Sequence, residues 1–77
     1  MNNKTRKELQ KIIESIETLK TQLESFADEE QEKFDNLSEG LQQSDKGFQM
    51  EDAASSLMES VENLDEAISN IEVAVGG

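Results

Sequence analysis

The chain has 77 residues, a formal net charge of −11 and 34% hydrophobic residues, which places it as one small domain near the lower limit for a self-sufficient core. It contains no His, Cys, Pro, Trp or Tyr. That excludes the usual neutral-pH acid/base and both disulfide and thiolate staples, and it leaves little to interrupt helices.

The basic start is followed by amphipathic sequence rather than an apolar signal core, and no apolar run approaches the ~20 residues of a membrane span. The expectation is a soluble cytoplasmic protein with no membrane partner. Charge is uneven: residues 1–20 carry five basic and three acidic groups, whereas residues 51–77 carry seven acidic groups and no basic one. So acidic a field opposes direct nucleic-acid binding.

The first periodic segment places Leu9, Ile12, Ile16, Leu19, Leu23 and Phe26 at alternating steps of three and four, an a/d heptad seam that Ile13 widens on one side. Thr5-Arg6-Lys7-Glu8 has the form of a capping box, so Thr5 is the predicted N-cap. After Phe26 the phase is lost, because Glu30 and Lys33 fall where the seam would continue and Phe34 arrives one place late. The pattern predicts a helix over about 6–34 that frays or bends near its end.

A connection over about 35–44 follows. In it Phe34, Leu37, Leu41 and Phe48 are expected to close the end of the fold, while Asp35, Asn36 and Ser44 satisfy helix termini. Ser38 suits the cap of a short helical turn over 39–43. The second long helix is predicted over about 45–75, with Ser44 as N-cap and a seam of Met50, Ala54, Leu57, Val61, Leu64, Ile68, Ile71 and Val75. Gly76-Gly77 reads as its termination.

The fold class is therefore all-α: a single domain over 1–77, built as a long antiparallel helical hairpin with a structured connection. The basic start of the first helix should lie beside Glu62, Asp65, Glu66 and Glu72 of the second. A lone hairpin covers only part of each stripe, so a homodimer forming a four-helix bundle is expected.

Chemistry-bearing constellations are few. Glu24, Asp28 and Glu32 repeat at i, i+4 and, with Asp35 and Glu39, form an acidic ridge fit to dock on a basic protein. Gln42, Gln43 and Asp45 extend that candidate protein-binding surface to the hairpin tip. Lys4, Arg6, Lys7 and Lys11 are the candidates for a small anionic ligand.

A calcium loop begun at Asp35 puts Gly40 at position 6 but Leu37 at 3 and Lys46 at 12, so the ligand pattern fails. Without His there is neither a carboxylate–histidine metal pair nor a base for any serine. The expectation is a protein that is not an enzyme, with no cofactor and no metal.

The run from Glu29 to Gly47, E-E-Q-E-K-F-D-N-L-S-E-G-L-Q-Q-S-D-K-G, followed by Met50-Glu51-Asp52-Ala53, resembles a family of small acidic helical proteins of bacteriophages and prophages. That family carries an E-E-Q-E-x-aromatic-D-N-L-P-E-x-L-Q-x-S-x-x-G core between two amphipathic helices. The likeness spans nearly the whole chain, with Ser38 standing where many relatives carry Pro.

The resemblance implies a phage-type origin and action in the host cytoplasm, and it brings no catalytic residues. The leading expectation is an interaction protein that binds and modulates a host or phage protein, as an acidic nucleic-acid mimic or anti-defence factor. The alternatives are an oligomeric sponge for an anionic nucleotide signal and a structural or assembly protein.

Overall fold

A computed structural model describes residues 1–76. The chain forms three helices, α1 (Asn3–Asp35), α2 (Glu39–Gln42) and α3 (Asp45–Gly76). The two long helices pack along each other and α2 packs on α3. The rod measures 58 × 15 × 12 Å with a radius of gyration of 17.3 Å, against roughly 11–12 Å for a compact globule of this length. The all-α hairpin is therefore as expected, and nearly all long-range contacts are spread along the seam between α1 and α3.

Helix α1 begins earlier than the capping box indicates. Asn2 is the N-cap: its Oδ1 accepts from the Thr5 backbone N–H at 2.8 Å, and its carbonyl accepts from Arg6 N–H at 3.1 Å. Asn is as good a cap as Thr, and starting there adds a turn of backbone hydrogen bonds. The helix then runs without a break to Asp35, so its end does not fray where the phase of the expected seam is lost.

The reason is the phase of the seam. The half-buried and buried residues of α1 are Arg6, Leu9, Ile13, Ile16, Lys20, Leu23, Ala27, Glu30 and Phe34, apart from Glu24 beside them. Their spacing alternates strictly between three and four along the whole helix. Ile12, Leu19 and Phe26, expected in the seam, lie outside it at 48%, 54% and 58% exposure.

Extending their stripe would have placed Lys33 in the seam and left Phe34 stranded. The stripe actually used takes in Ala27 and Phe34, and it accommodates Lys20 by laying the aliphatic stem along the seam while the ammonium reaches outward.

Helix α3 buries the stripe that its periodicity predicts, with Ala54, Val61 and Ile68 buried and Met50, Leu57, Leu64, Ile71 and Val75 half-buried between them. Its start is capped by Ser44, whose Oγ accepts from Gly47 N–H at 3.3 Å while the Ser44 carbonyl accepts from Phe48 N–H at 3.0 Å. Gly76 is still helical; Gly77 lies outside the described residues.

The connection is held by capping. Asn36 N–H donates to Glu32 O, Leu37 N–H donates to Phe34 O, and the Gln42 side-chain amide donates to Phe34 O at 3.2 Å. Ser38 caps α2 by accepting from Leu41 N–H, and the Ser44 hydroxyl donates to Leu41 O.

Gly47 is buried against this turn. A Cβ there would meet the Gln42 carbonyl oxygen, with Leu41 O at 2.5 Å and Gln42 C at 2.7 Å. The first turn of α3 thus packs on α2 backbone to backbone. One consequence corrects the expectation that four apolar side chains close this end: Phe34 and Leu37 are half-buried, but Leu41 and Phe48 are 52% and 54% exposed.

The two helical glycines of this region should respond oppositely to alanine. Gly47→Ala must displace backbone, so chemical denaturation should show a loss of about 1–3 kcal/mol. Gly40→Ala meets nothing within 4 Å and should gain about 0.4–1 kcal/mol by restricting the unfolded chain.

Candidate functional site

The seam register divides the hairpin into two unlike flanks. Lys20 Nζ donates to Asp65 Oδ1 at 2.7 Å, the single interhelical ion pair among the described residues. On that flank the positions beside the seam include Glu17 and Glu24 of α1 and Glu51, Asp65 and Glu72 of α3, with Gln10, Gln31 and Met58 in the same rows.

Lys20 therefore stands in a field of carboxylates. Its pKa is raised above the ordinary 10.5 by the Asp65 hydrogen bond first, with the Asp65, Glu24 and Glu17 charges adding to this and partial burial opposing it.

The predicted acidic ridge belongs to this flank, though not as one straight stack. Glu24 is half-buried beside the seam, and Asp28 and Glu32 are exposed and step round toward the back of α1. Asp35 is exposed and accepts from the Gln31 amide at 3.0 Å. Glu39, Gln43 and Asp45 are exposed at the tip, with Glu39 in the first turn of α2 and Asp45 opening α3. Gln42 does not join them as a contact residue: it is half-buried and its amide is used to cap α1.

The basic cluster is divided. Lys4, Lys7 and Lys11 are exposed and make no ion pair among the described residues. Arg6 turns toward the seam, where its Nε is shielded from solvent without a hydrogen-bond partner. The expected pairing of this cluster with Glu62, Asp65, Glu66 and Glu72 does not form; Asp65 is taken by Lys20 instead. Among the described residues no three carboxylates converge as metal ligands would, and no helix is long and apolar enough to cross a membrane.

The opposite flank was not anticipated. Ile12, Leu19 and Phe26 project there from α1 at seven-residue spacing, and Ala53, Ser60 and Ala67 lie half-buried at the same spacing on α3. Phe26, Glu30, Ala53, Ser56 and Leu57 line one shallow depression across both helices, so the two stripes share a surface.

From Leu9 to Phe26 on α1 and from Gln49 to Ala74 on α3, no charged residue occupies this flank. In a chain with 25 charged residues (7 basic and 18 acidic), that is a strong segregation. The signal available in the sequence was Ile13 beside Ile12: two adjacent apolar residues mean two candidate seams, and a hairpin partner covers only one.

Compared with protein-family models, with curated proteins and with solved structures, the chain shows no significant match to any.

The charge arrangement at Lys20 predicts a pH response. A raised folded-state pKa gives stabilisation that is complete below the unfolded value and is lost as pH rises through the folded one. The thermal midpoint should therefore fall more steeply above pH 10.5 in the wild type than in Lys20→Met, and the two curves should run parallel between pH 6 and 9.

Proposed function

We propose that this chain is a non-catalytic interaction protein of phage type, acting in the host cytoplasm, which binds and modulates a basic protein surface through its acidic flank and tip. The observation that carries the reading is the segregation of charge. Carboxylates are gathered on one side of the rod, with Lys20 as the cation seated among them at the seam, while the other side carries none over most of its length. A field of one sign along a rigid helical edge steers and orients a cationic partner. Occupation of a DNA-binding groove by Glu24, Asp28, Glu32 and their neighbours is the most concrete form of this function.

Self-association into a four-helix bundle is part of the same proposal. Only Ile13, Ala27, Ala54, Val61 and Ile68 are buried hydrophobics in the described chain, and none of them is a large side chain hidden completely. Helical bundles of this size gain a full core by doubling. The anionic-ligand alternative has less support, because Arg6 faces the seam while Lys4, Lys7 and Lys11 face outward.

Capture from host lysate tests the function. At about 50 mM salt a basic partner should be retained, and screening at about 0.5 M should release it. Combining Glu24→Gln, Asp28→Asn and Glu32→Gln should weaken retention at least tenfold without loss of helicity. Recovery of no specific protein at low salt, or retention insensitive to both salt and the triple variant, contradicts the proposal.

A further inference from the structure

The uncharged flank has no occupant within the hairpin, and we infer that a second copy of this chain covers it in antiparallel orientation, with Leu19 on the two-fold axis. The inference rests on the self-association proposed above and deepens it by assigning the face and the direction.

Three observations single out this face. Ile12, Leu19 and Phe26 stand about half exposed along it, a continuous apolar row, whereas Met58 and Val73 are isolated on other faces of α3 and Leu41 and Phe48 lie at the tip. Its polar residues are suited to burial: Ser15 donates its hydroxyl to Lys11 O and Ser60 donates to Ser56 O, each at 3.1 Å. Donors already satisfied inside their own helix lose little when water is removed. Charge is absent from this flank and dense on the opposite one, so only this side brings two copies together without burying carboxylates.

Charge also decides direction. Between Asp28 and Asp52, around the hairpin tip, the chain carries nine acidic and two basic residues. A parallel pair sets two such ends side by side. An antiparallel pair separates them and sets the net-positive start of one copy, where Lys4, Arg6, Lys7 and Lys11 outweigh Glu8, over the net-negative stretch from Asp28 to Asp35 of the other. Opposite-sign potentials are then matched at both ends of the interface.

The spacing of the ridge fits the same symmetry. Leu19 is midway between Ile12 and Phe26, so a two-fold axis at Leu19 sets Ile12 against Phe26 of the second copy and Leu19 against itself. Helix α1 then lies on its own counterpart. Helix α3 lies on its counterpart through the small residues Ala53, Ser60 and Ala67. Both acidic flanks remain on the outside of the bundle.

Light scattering and single-cysteine cross-linking test this together, and the absence of native cysteine makes the second clean. The wild type should show twice the chain mass at micromolar concentration. Leu19→Glu should raise the dissociation constant at least 100-fold while circular dichroism shows the helices retained. Under mild oxidation Leu19→Cys should cross-link to itself. Ile12→Cys should not, yet it should cross-link to Phe26→Cys when the two are mixed.

A dimer that survives Leu19→Glu overturns the assigned face and leaves self-association standing. Self-linking of Ile12→Cys in place of the mixed pair overturns the direction. A monomeric mass at every concentration removes both this inference and the bundle, and leaves the acidic-flank function to its own test.

Discussion

Everything in this molecule follows from one constraint: α1 carries an apolar stripe wider than a single antiparallel neighbour can cover. A hairpin seam uses the a and d positions of each helix and leaves one shoulder of the stripe outside. On α1 the choice fell between two shoulders one residue apart, Ile12–Leu19–Phe26 and Ile13–Lys20–Ala27. The second won although it brings a lysine into the seam, because it continues in phase to Phe34, where the connection begins. The ammonium of Lys20 escapes to Asp65, and the displaced shoulder becomes a surface.

That single choice of phase sets the distribution of charge. With Lys20 in the seam, Glu17 and Glu24 fall on the same edge as Glu51, Asp65 and Glu72, and Ser15 and Gln22 fall on the opposite one. Neither edge is an accident of composition, since acidic residues are frequent enough to have populated both. The rod therefore has an edge suited to a cationic partner and an edge suited to an uncharged one, and the proposed bundle uses each for a different contact.

The tip solves a separate problem. A four-residue helix cannot supply a hydrophobic lid, and α2 instead brings its carbonyls onto α3 at Gly47, where there is no side chain to keep them apart. Capping by Ser38, Gln42 and Ser44 satisfies the backbone groups that this close approach would otherwise strand. Leu41 and Phe48 stay outside as a result and add apolar surface next to Glu39, Gln43 and Asp45.

Helix α3 was legible in the sequence because its apolar residues fit one stripe only, so periodicity and burial coincide from Met50 to Val75. Helix α1 was legible as a helix but not in phase: Leu9, Ile16 and Leu23 belong to both candidate seams, and only the partner helix distinguishes Ile12 from Ile13. The N-cap was ambiguous for a similar reason, with Asn2 and Thr5 both competent and the outcome set by which start adds more hydrogen bonds. Of the candidate contact residues, Asp28, Glu32, Asp35, Glu39, Gln43 and Asp45 are exposed, whereas the seam draws in part of Glu24 and a cap takes Gln42, neither of which periodicity alone indicates. The uncharged flank was invisible until the phase was known. The most direct measurement of that phase is isotope-filtered NMR on a mixture of labelled and unlabelled chains: Ile13 and Ala27 methyls should show contacts to the buried α3 residues Ala54, Val61 and Ile68 within one chain, and Leu19 should show contacts to Leu19 between chains. Intrachain contacts to Val61 and Ile68 from Ile12 and Leu19 in place of Ile13, with Lys20 free of Asp65, would contradict the account.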